Sequence, residues 1–215
     1  MQKLLIIGTG DYAEVATFYL ESQYEVIGYA EEAAYRKLPT LQNRPIFNFE
    51  DIASKFDASE VKVLVAVGPN RVNTVRERLF NEVRAMRFQC ISYIHPAANV
   101  SGSVGENSFI FPNVTVEPFA SVGNNCVMWS GAVLAHHSKL EDHCFMAPGA
   151  LVSGRSVINK NCFLGINSTV RDNVVVGEKC IIGAGSVIKK NTESNGVYSL
   201  KGTDLYNLDS MQTKV

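Results

Sequence analysis

The sequence predicts a chain in two parts: a small Rossmann-like α/β unit over residues 1–90, then a parallel β-helix over 91–215 that ends in a tail. Three observations carry this reading. In the first part, apolar runs that end at glycine, KLLIIG and VKVLVAVG, alternate with helical patterns, as buried parallel strands and their crossovers do. From Val104 to Ile188, every sixth residue is aliphatic or Met, fifteen in a row. In a chain that is 46% hydrophobic, chance gives such a run roughly once in a hundred thousand trials, so the period is structural. Four residues beyond each step the side chain is small, from Ser108 and Val114 to Ser186, which is the hexapeptide pattern of a β-helix.

In chain order, KLLIIG is the first strand and GTGDYA the turn that opens a helix. The turn fits a nucleotide-binding loop, with Gly8, Thr9, Gly10, Asp11 and Tyr12 in the loop and Ala13 as the third small residue. Glu31, about twenty residues on, stands where a ribose-binding acid would sit. A turn that merely joins a strand to a helix is the plainer alternative. YEVIGYA reads as the second strand, and the polar, two-proline segment EEAAYRKLPTLQNRP as a loop over the sheet. After VKVLVAVG, Asn70 is placed to cap a helix through RVNTVRERLFNEVRAM, where Val72, Val75, Leu79, Val83 and Met86 recur at three- and four-residue steps.

Fifteen hexads make about five triangular coils, stacked about 4.8 Å apart, so residues eighteen apart should form columns. Cys126, Cys144, Cys162 and Cys180 share one column with Ser108, at the small inward position. A parallel stack cannot converge tetrahedrally on zinc, so these read as small buried residues, and no metal is expected. Five cysteines without a secretory signal read as reduced thiols in a cytoplasmic protein. His143 shares a column with Asn107, Asn125, Asn161 and Lys179, a corner that asks for the left-handed backbone. His95 shares the phase of Asn113, Gly131, Gly149, Asn167 and Gly185, and reads as a corner or the entry to the coil. The third corner carries Phe119, His136-His137, Gly154-Arg155 and Asp172-Asn173, with no common chemistry. On this reading His136 and His137 meet no repeating demand, which leaves function or an idle surface as their explanation.

A net charge of −1 gives no reason to expect nucleic acid. No run approaches the ~18 apolar residues of a membrane span. Phe109, Phe111, Phe119, Trp129 and Phe163 occupy non-inward positions of the coil. Such a surface would be covered if three prisms packed about an axis, which predicts a homotrimer.

Four segments, LLIIGTGDYAEVATFYLE, VLVAVGPNRV, IHPAANVSGSVGENSFI and APGALVSG, together resemble the family of sialic acid O-acetyltransferases and nucleotide-sugar N-acetyltransferases. The resemblance implies a left-handed β-helix and a trimer. It also implies acetyl-CoA lying along the coils between subunits and a nucleotide-sugar acceptor at the N-terminal domain. It places His136 at the position of the general base. His137 stands where the base's acidic neighbour usually sits, and Phe145 where a second histidine does. GTGDYA and AEE replace the usual GAGGHA and LDD. The acceptor-binding residues it implies are Gly8, Thr9, Gly10, Asp11, Tyr12, Glu31, Glu32, Gly68 and Asn70. Those implied for acetyl-CoA are Phe145, Gly154, Ile166, Gly183 and Ala184. The expected reaction is direct acetyl transfer from acetyl-CoA to the amino group of a nucleotide-linked amino-deoxy sugar. O-acetylation of a free sugar, or a non-catalytic trimeric binding protein, are the alternatives.

Overall fold

The structure, a computed structural model, describes residues 1–202; residues 203–215 of the predicted tail lie outside the described residues. The central strand β1 (Gln2–Ile7) is followed by helix α1 (Asp11–Leu20) and by β2 (Tyr24–Glu31), which pairs parallel to β1. Next come β3 (Thr40–Leu41), β4 (Arg44–Asn48) and a short helical segment that ends in α2 (Ile52–Lys55). β5 (Val61–Val65), helix α3 (Thr74–Ala85) and β6 (Gln89–Cys90) complete the unit. The strand order is β3-β4-β2-β1-β5-β6, parallel except for β3 against β4. Leu4 and Ile6 of β1 pack with α1, while Leu5 and Ile7 pack with Ile52, Leu79 and Phe80 on the other side. Both faces of the strand are covered, which is why KLLIIG is continuously apolar.

Two local expectations are corrected. The predicted loop of residues 31–45 contains a hairpin: Gln42 and Asn43 both have positive φ, 48° and 61°, and turn β3 into β4. Two consecutive left-handed residues make the tight turn that strand twist favours, and Gln-Asn is a weak signal for it. Asn70 does not cap α3. Arg71, Val72 and Asn73 instead take positive φ of 49°, 51° and 64°, and the helix begins at Thr74. The cause is tertiary, because the Asn73 amide donates to the carbonyls of Asn161 (3.3 Å) and Cys162 (3.0 Å) on the coil.

Gly8 ends β1 at φ 117°, and a Cβ there would lie 2.6 Å from the Ala66 carbonyl oxygen. Gly8→Ala should therefore cost about 1–3 kcal/mol in backbone strain alone. The check is a lower thermal midpoint with an unchanged coil spectrum.

From Tyr93 onward the chain winds through two-residue parallel strands that stack into three faces. The first face runs from Tyr93–Ile94 through Phe109–Ile110 and Phe145–Met146 to Val197–Tyr198. The second runs from Asn99–Val100 to Val187–Ile188, and the third from Ser103–Val104 to Val175–Val176. Residues eighteen apart pair in register, as Val127 with Phe145 and Met146 with Leu164. This is the left-handed parallel β-helix of hexapeptide repeats. Of the fifteen periodic residues, all but the half-buried Val104 are buried in the prism.

The small inward column does more than fill space. Three thiols donate to the carbonyl fifteen residues on, Cys126 to Glu141 and Cys144 to Asn159 at 3.1 Å and Cys162 to Gly177 at 3.0 Å, and Cys180, in the last coil, to Glu193 thirteen residues on at 3.0 Å. Ser108 makes the same bond to Gly123 at 2.9 Å, so Ser and Cys interchange as short donors to a corner carbonyl.

All three corners are left-handed. Asn107, Asn125, His143, Asn161 and Lys179 have φ between 54° and 64°, as expected. His95 is the entry to the coil and not a left-handed corner: its Nδ1 accepts the Ala97 N–H at 3.0 Å. The third column is corrected, because Phe119, His137, Arg155 and Asn173 also have φ of 57–65°. His137 thus meets a repeating backbone demand after all, and only its side chain is irregular. His136 meets none.

The outward residues of the first face are covered by the chain's own α1, which corrects the reasoning from exposed aromatics. Tyr12 meets Phe109 edge-on at 5.9 Å, Tyr19 packs on Tyr93 and Phe111, and Phe111 stacks on Trp129 at 4.0 Å. Phe109 and Phe111 are buried, Trp129 and Phe163 half-buried, and only Phe119 stays open, at 78%. An outward aromatic on the coil signals that something covers it, and here most of the covering is intramolecular.

Candidate functional site

The turn after β1 and the turn after β5 meet at the carboxyl edge of the parallel sheet, where open α/β sheets bind ligands. Together with the first face of the coil they enclose a cavity of about 1110 Å³. All nine residues expected to hold the acceptor line it: Gly8, Thr9, Gly10, Asp11, Tyr12, Glu31, Glu32, Gly68 and Asn70. Gly10 precedes the first turn of α1, and a Cβ there would meet nothing within 4 Å. Its bareness therefore serves no internal packing and leaves the helix N-terminus open to a ligand. Thr9 Oγ1 donates to Glu31 Oε1 at 2.7 Å, which orients that carboxylate, and Glu32 pairs with Arg78 at 2.8 Å.

The coil contributes Trp129 and Phe145 to the same cavity. Phe145 thus faces this cavity, on a different side of the prism from the other residues expected to hold acetyl-CoA. The place of Trp129 in the cavity wall was missed by sequence reasoning, as was Arg76 behind Phe145. Arg76 is fully buried on α3 and donates to the carbonyls of Val67, Asn125, His143 and Cys144 at 3.2–3.3 Å. Its ring contact with Phe145, 5.8 Å to the centroid, ties the pocket wall to this cation. Burial pushes the Tyr12 hydroxyl far up, so it stays protonated.

A second cluster lies at the corner between the second and third faces. His136 Nδ1 and His137 Nδ1 are 3.2 Å apart. Two such nitrogens make one hydrogen bond only when one is protonated and the other is not. If His136 Nδ1–H donates, its Nε2 carries a free lone pair and can accept a proton. Glu117, one coil earlier, accepts the His136 backbone N–H at 2.7 Å and holds the corner in place. Glu117 was not singled out from the sequence. Gly154 lies under the His136 ring, where a Cβ would come within 2.6 Å of Cε1, so only glycine leaves the imidazole its position. Phe119 covers His137, ring centroids 4.7 Å apart.

Ile166, Gly183 and Ala184 occupy the corner between the first and second faces, with Ile166 53% exposed. Within one chain they do not approach His136. Nor does the cavity, because in a three-sided prism the second–third corner lies opposite the first face. Among the described residues no three or more His, Cys, Asp or Glu side chains converge as a metal site, and no helix is long and apolar enough to cross a membrane.

Comparison with known proteins follows the same division. Residues 3–83 match the model for the PglD N-terminal domain, and residues 101–136 and 155–190 match that for the bacterial transferase hexapeptide (six repeats). No curated protein matches the chain by sequence. Among solved structures, the fold is similar to the acetyltransferase domain of PglB from Neisseria gonorrhoeae FA1090 in complex with acetyl coenzyme A. Identity is 22% and the TM-score 0.80, over 91% of this chain and 95% of that one. It is also similar to a mutant of perosamine N-acetyltransferase from Caulobacter crescentus in complex with CoA and GDP-perosamine, at 23% identity and a TM-score of 0.81, over 91% and 92%. WeeI from Acinetobacter baumannii AYE matches at 18% and 0.77, over 92% and 96%. The matches thus place a PglD-type N-terminal domain before bacterial transferase hexapeptide repeats, in the order of the motifs, and the solved structures share that two-part fold.

Proposed function

We propose that the protein transfers the acetyl group of acetyl-CoA to the amino group of a nucleotide-linked amino-deoxy sugar, and does so as a homotrimer. The observation that carries this reading is the placement of two incomplete half-sites on opposite sides of one prism. The cavity takes a ligand of nucleotide-sugar size but has no histidine in its lining, while His136 stands at the far corner, outside that lining. A second copy that sets its His136 corner against the first copy's cavity completes the site. Phe119, exposed and packed at a tilt on His137, supplies apolar surface for that contact. The matched structures of PglB with acetyl coenzyme A and of perosamine N-acetyltransferase with CoA and GDP-perosamine support the substrate class.

In the proposed trimer, Gly154 of one copy and Ile166, Gly183 and Ala184 of the next offer a small or apolar surface that suits a long, thin thiol ester laid along the coil. Acetyl-CoA supplies the activated acetyl group there. His136 Nε2 takes a proton from the amine as the nitrogen bonds to the acetyl carbon and the carbon–sulfur bond breaks. The proton then passes to the departing thiolate, so His136 ends unchanged. The Gly154 N–H under the ring is the proposed donor to the carbonyl oxygen. Transfer is direct because every cysteine is buried. Burial pushes the thiols of Cys90 and Cys126 up to about 12, far from thiolate at neutral pH.

Thermal shift with acetyl-CoA and a panel of nucleoside diphosphates tests the ligands, since binding to the folded state alone raises the midpoint. A shift with acetyl-CoA but with no nucleotide would move the assignment to O-acetylation of a free sugar. Asp11, an acid in the first turn of α1, favours that second reading because it repels a phosphate there. Absence of any acetyl-CoA effect would leave a binding protein. Sedimentation of the active protein at high dilution tests assembly: a fully active monomer of 23.6 kDa would end the shared-site reading.

A further inference from the structure

The corner between the third and first faces carries a chain of side-chain hydrogen bonds that the proposed chemistry does not use. It starts on the N-terminal sheet. The Val65 N–H donates to Asn107 Oδ1 at 2.9 Å, and Asn107 Nδ2 donates back to the Val65 carbonyl at 3.2 Å. This double bond to one backbone residue fixes which end of the Asn107 amide is oxygen. Asn107 Nδ2 also donates to Asn125 Oδ1 at 2.8 Å, which turns Asn125 Nδ2 toward His143 Nδ1, 2.9 Å away. An amide nitrogen only donates, so His143 Nδ1 accepts and carries no proton. The imidazole proton is then on Nε2, 3.7 Å from Glu77 Oε1, while Glu77 Oε2 accepts from Asn161 Nδ2 at 2.9 Å. The chain of bonds begins on β5 and ends on α3, and every link between belongs to the coil.

This ladder cannot absorb a second proton on His143. Turning the Asn125 amide to offer its oxygen would set two donors face to face at Asn107. Turning Asn107 as well would strip the Val65 N–H of its acceptor. The charged and titratable groups around the ring come from both sides of the joint. Glu77 and Asp142 favour a cation, whereas Arg76 and Lys160 oppose it. Arg76 is fully buried and bonds to the His143 carbonyl itself. The edge of Phe80 closes the remaining side at 5.9 Å. The backbone alone does not require histidine here, because asparagine holds the same left-handed corner at 107, 125 and 161.

We propose that His143 is a proton-operated latch between the N-terminal domain and the coil: a proton on Nδ1 breaks the bond to Asn125 and loosens the joint across which the acceptor cavity lies. Burial holds the His143 pKa below its ordinary 6.5, with Glu77 pulling the other way. The closed joint therefore binds fewer protons than the open one. Its stability is fully present above the ordinary imidazole pKa and is lost as pH falls through the lower value of the closed state.

The only tryptophan of the chain, Trp129, lies at this joint between Phe111 and Tyr12, so its emission reports opening without any substrate. Emission is followed from about pH 8 to about pH 5, the range where imidazole titrates, with far-UV circular dichroism as the check on global unfolding. The wild-type protein should show a transition with its midpoint below 6.5 and no loss of secondary structure. His143→Asn, the residue of its own column, should abolish it. Glu77→Gln keeps an acceptor for Asn161 but removes the charge that favours the cation, and should move the midpoint to lower pH. A transition that persists in His143→Asn, a wild-type protein without one before it unfolds, or a Glu77→Gln midpoint that stays or rises overturns the latch. None of these readings depends on which sugar, or which acyl chemistry, the protein uses.

Discussion

His136→Ala should lose most of its acetyl transfer, on the order of 10²–10⁴-fold in kcat, with little change in stability. Its ring packs on Gly154 and bonds sideways to His137, so removing it opens no core cavity. The loss falls toward the lower end if the acceptor is an amine already partly deprotonated at neutral pH, and toward the upper end for a hydroxyl. His143→Ala is the contrasting variant. It removes a buried ring bonded to Asn125 and packed on Phe80, and should lower the melting temperature more than it lowers turnover. Steady-state rates and thermal midpoints of the two variants, measured side by side, decide the matter. If His143→Ala abolished turnover at an unchanged midpoint while His136→Ala stayed active, the base would be assigned wrongly.

Leu164→Asp should not fold. Leu164 is fully buried in the prism, stacked in register between Met146 and Ile182. Losing a buried leucine costs about 2–5 kcal/mol by itself, and an unpaired carboxylate in an apolar interior adds several more. The total approaches the whole stability of a domain, about 5–15 kcal/mol. Leu164→Ala carries only the first cost and should give a folded protein with a lower denaturation midpoint. A soluble Leu164→Asp variant with the native strand spectrum would contradict the register of the coil.

The sequence by itself determined the coil and the loop that lines the cavity. In a stacked prism each residue sees mainly the residues eighteen before and after it, so the demands on Val104, Ile110 and their successors repeat and are visible as a period. The loop was legible for a related reason. Gly8 to Tyr12 are contiguous, and strand-turn-helix geometry brings Glu31 and Gly68 to the same edge of the sheet, so nine residues chosen from spacing and resemblance line one cavity. What only the tertiary structure decided is where the two halves touch. A pattern shows that Phe109 and Phe111 point outward but not what covers them, and the cover is α1 of the same chain. Asn73 and Arg76 look like solvated helix residues until the corner carbonyls of Asn125, His143 and Cys162 are placed against them. The left-handed turn at His137 was hidden because Phe, His, Arg and Asn share no chemistry, only a φ. The separation of the cavity from His136 is likewise a property of the closed three-sided prism, since opposite sides of it are only a few residues apart along the chain.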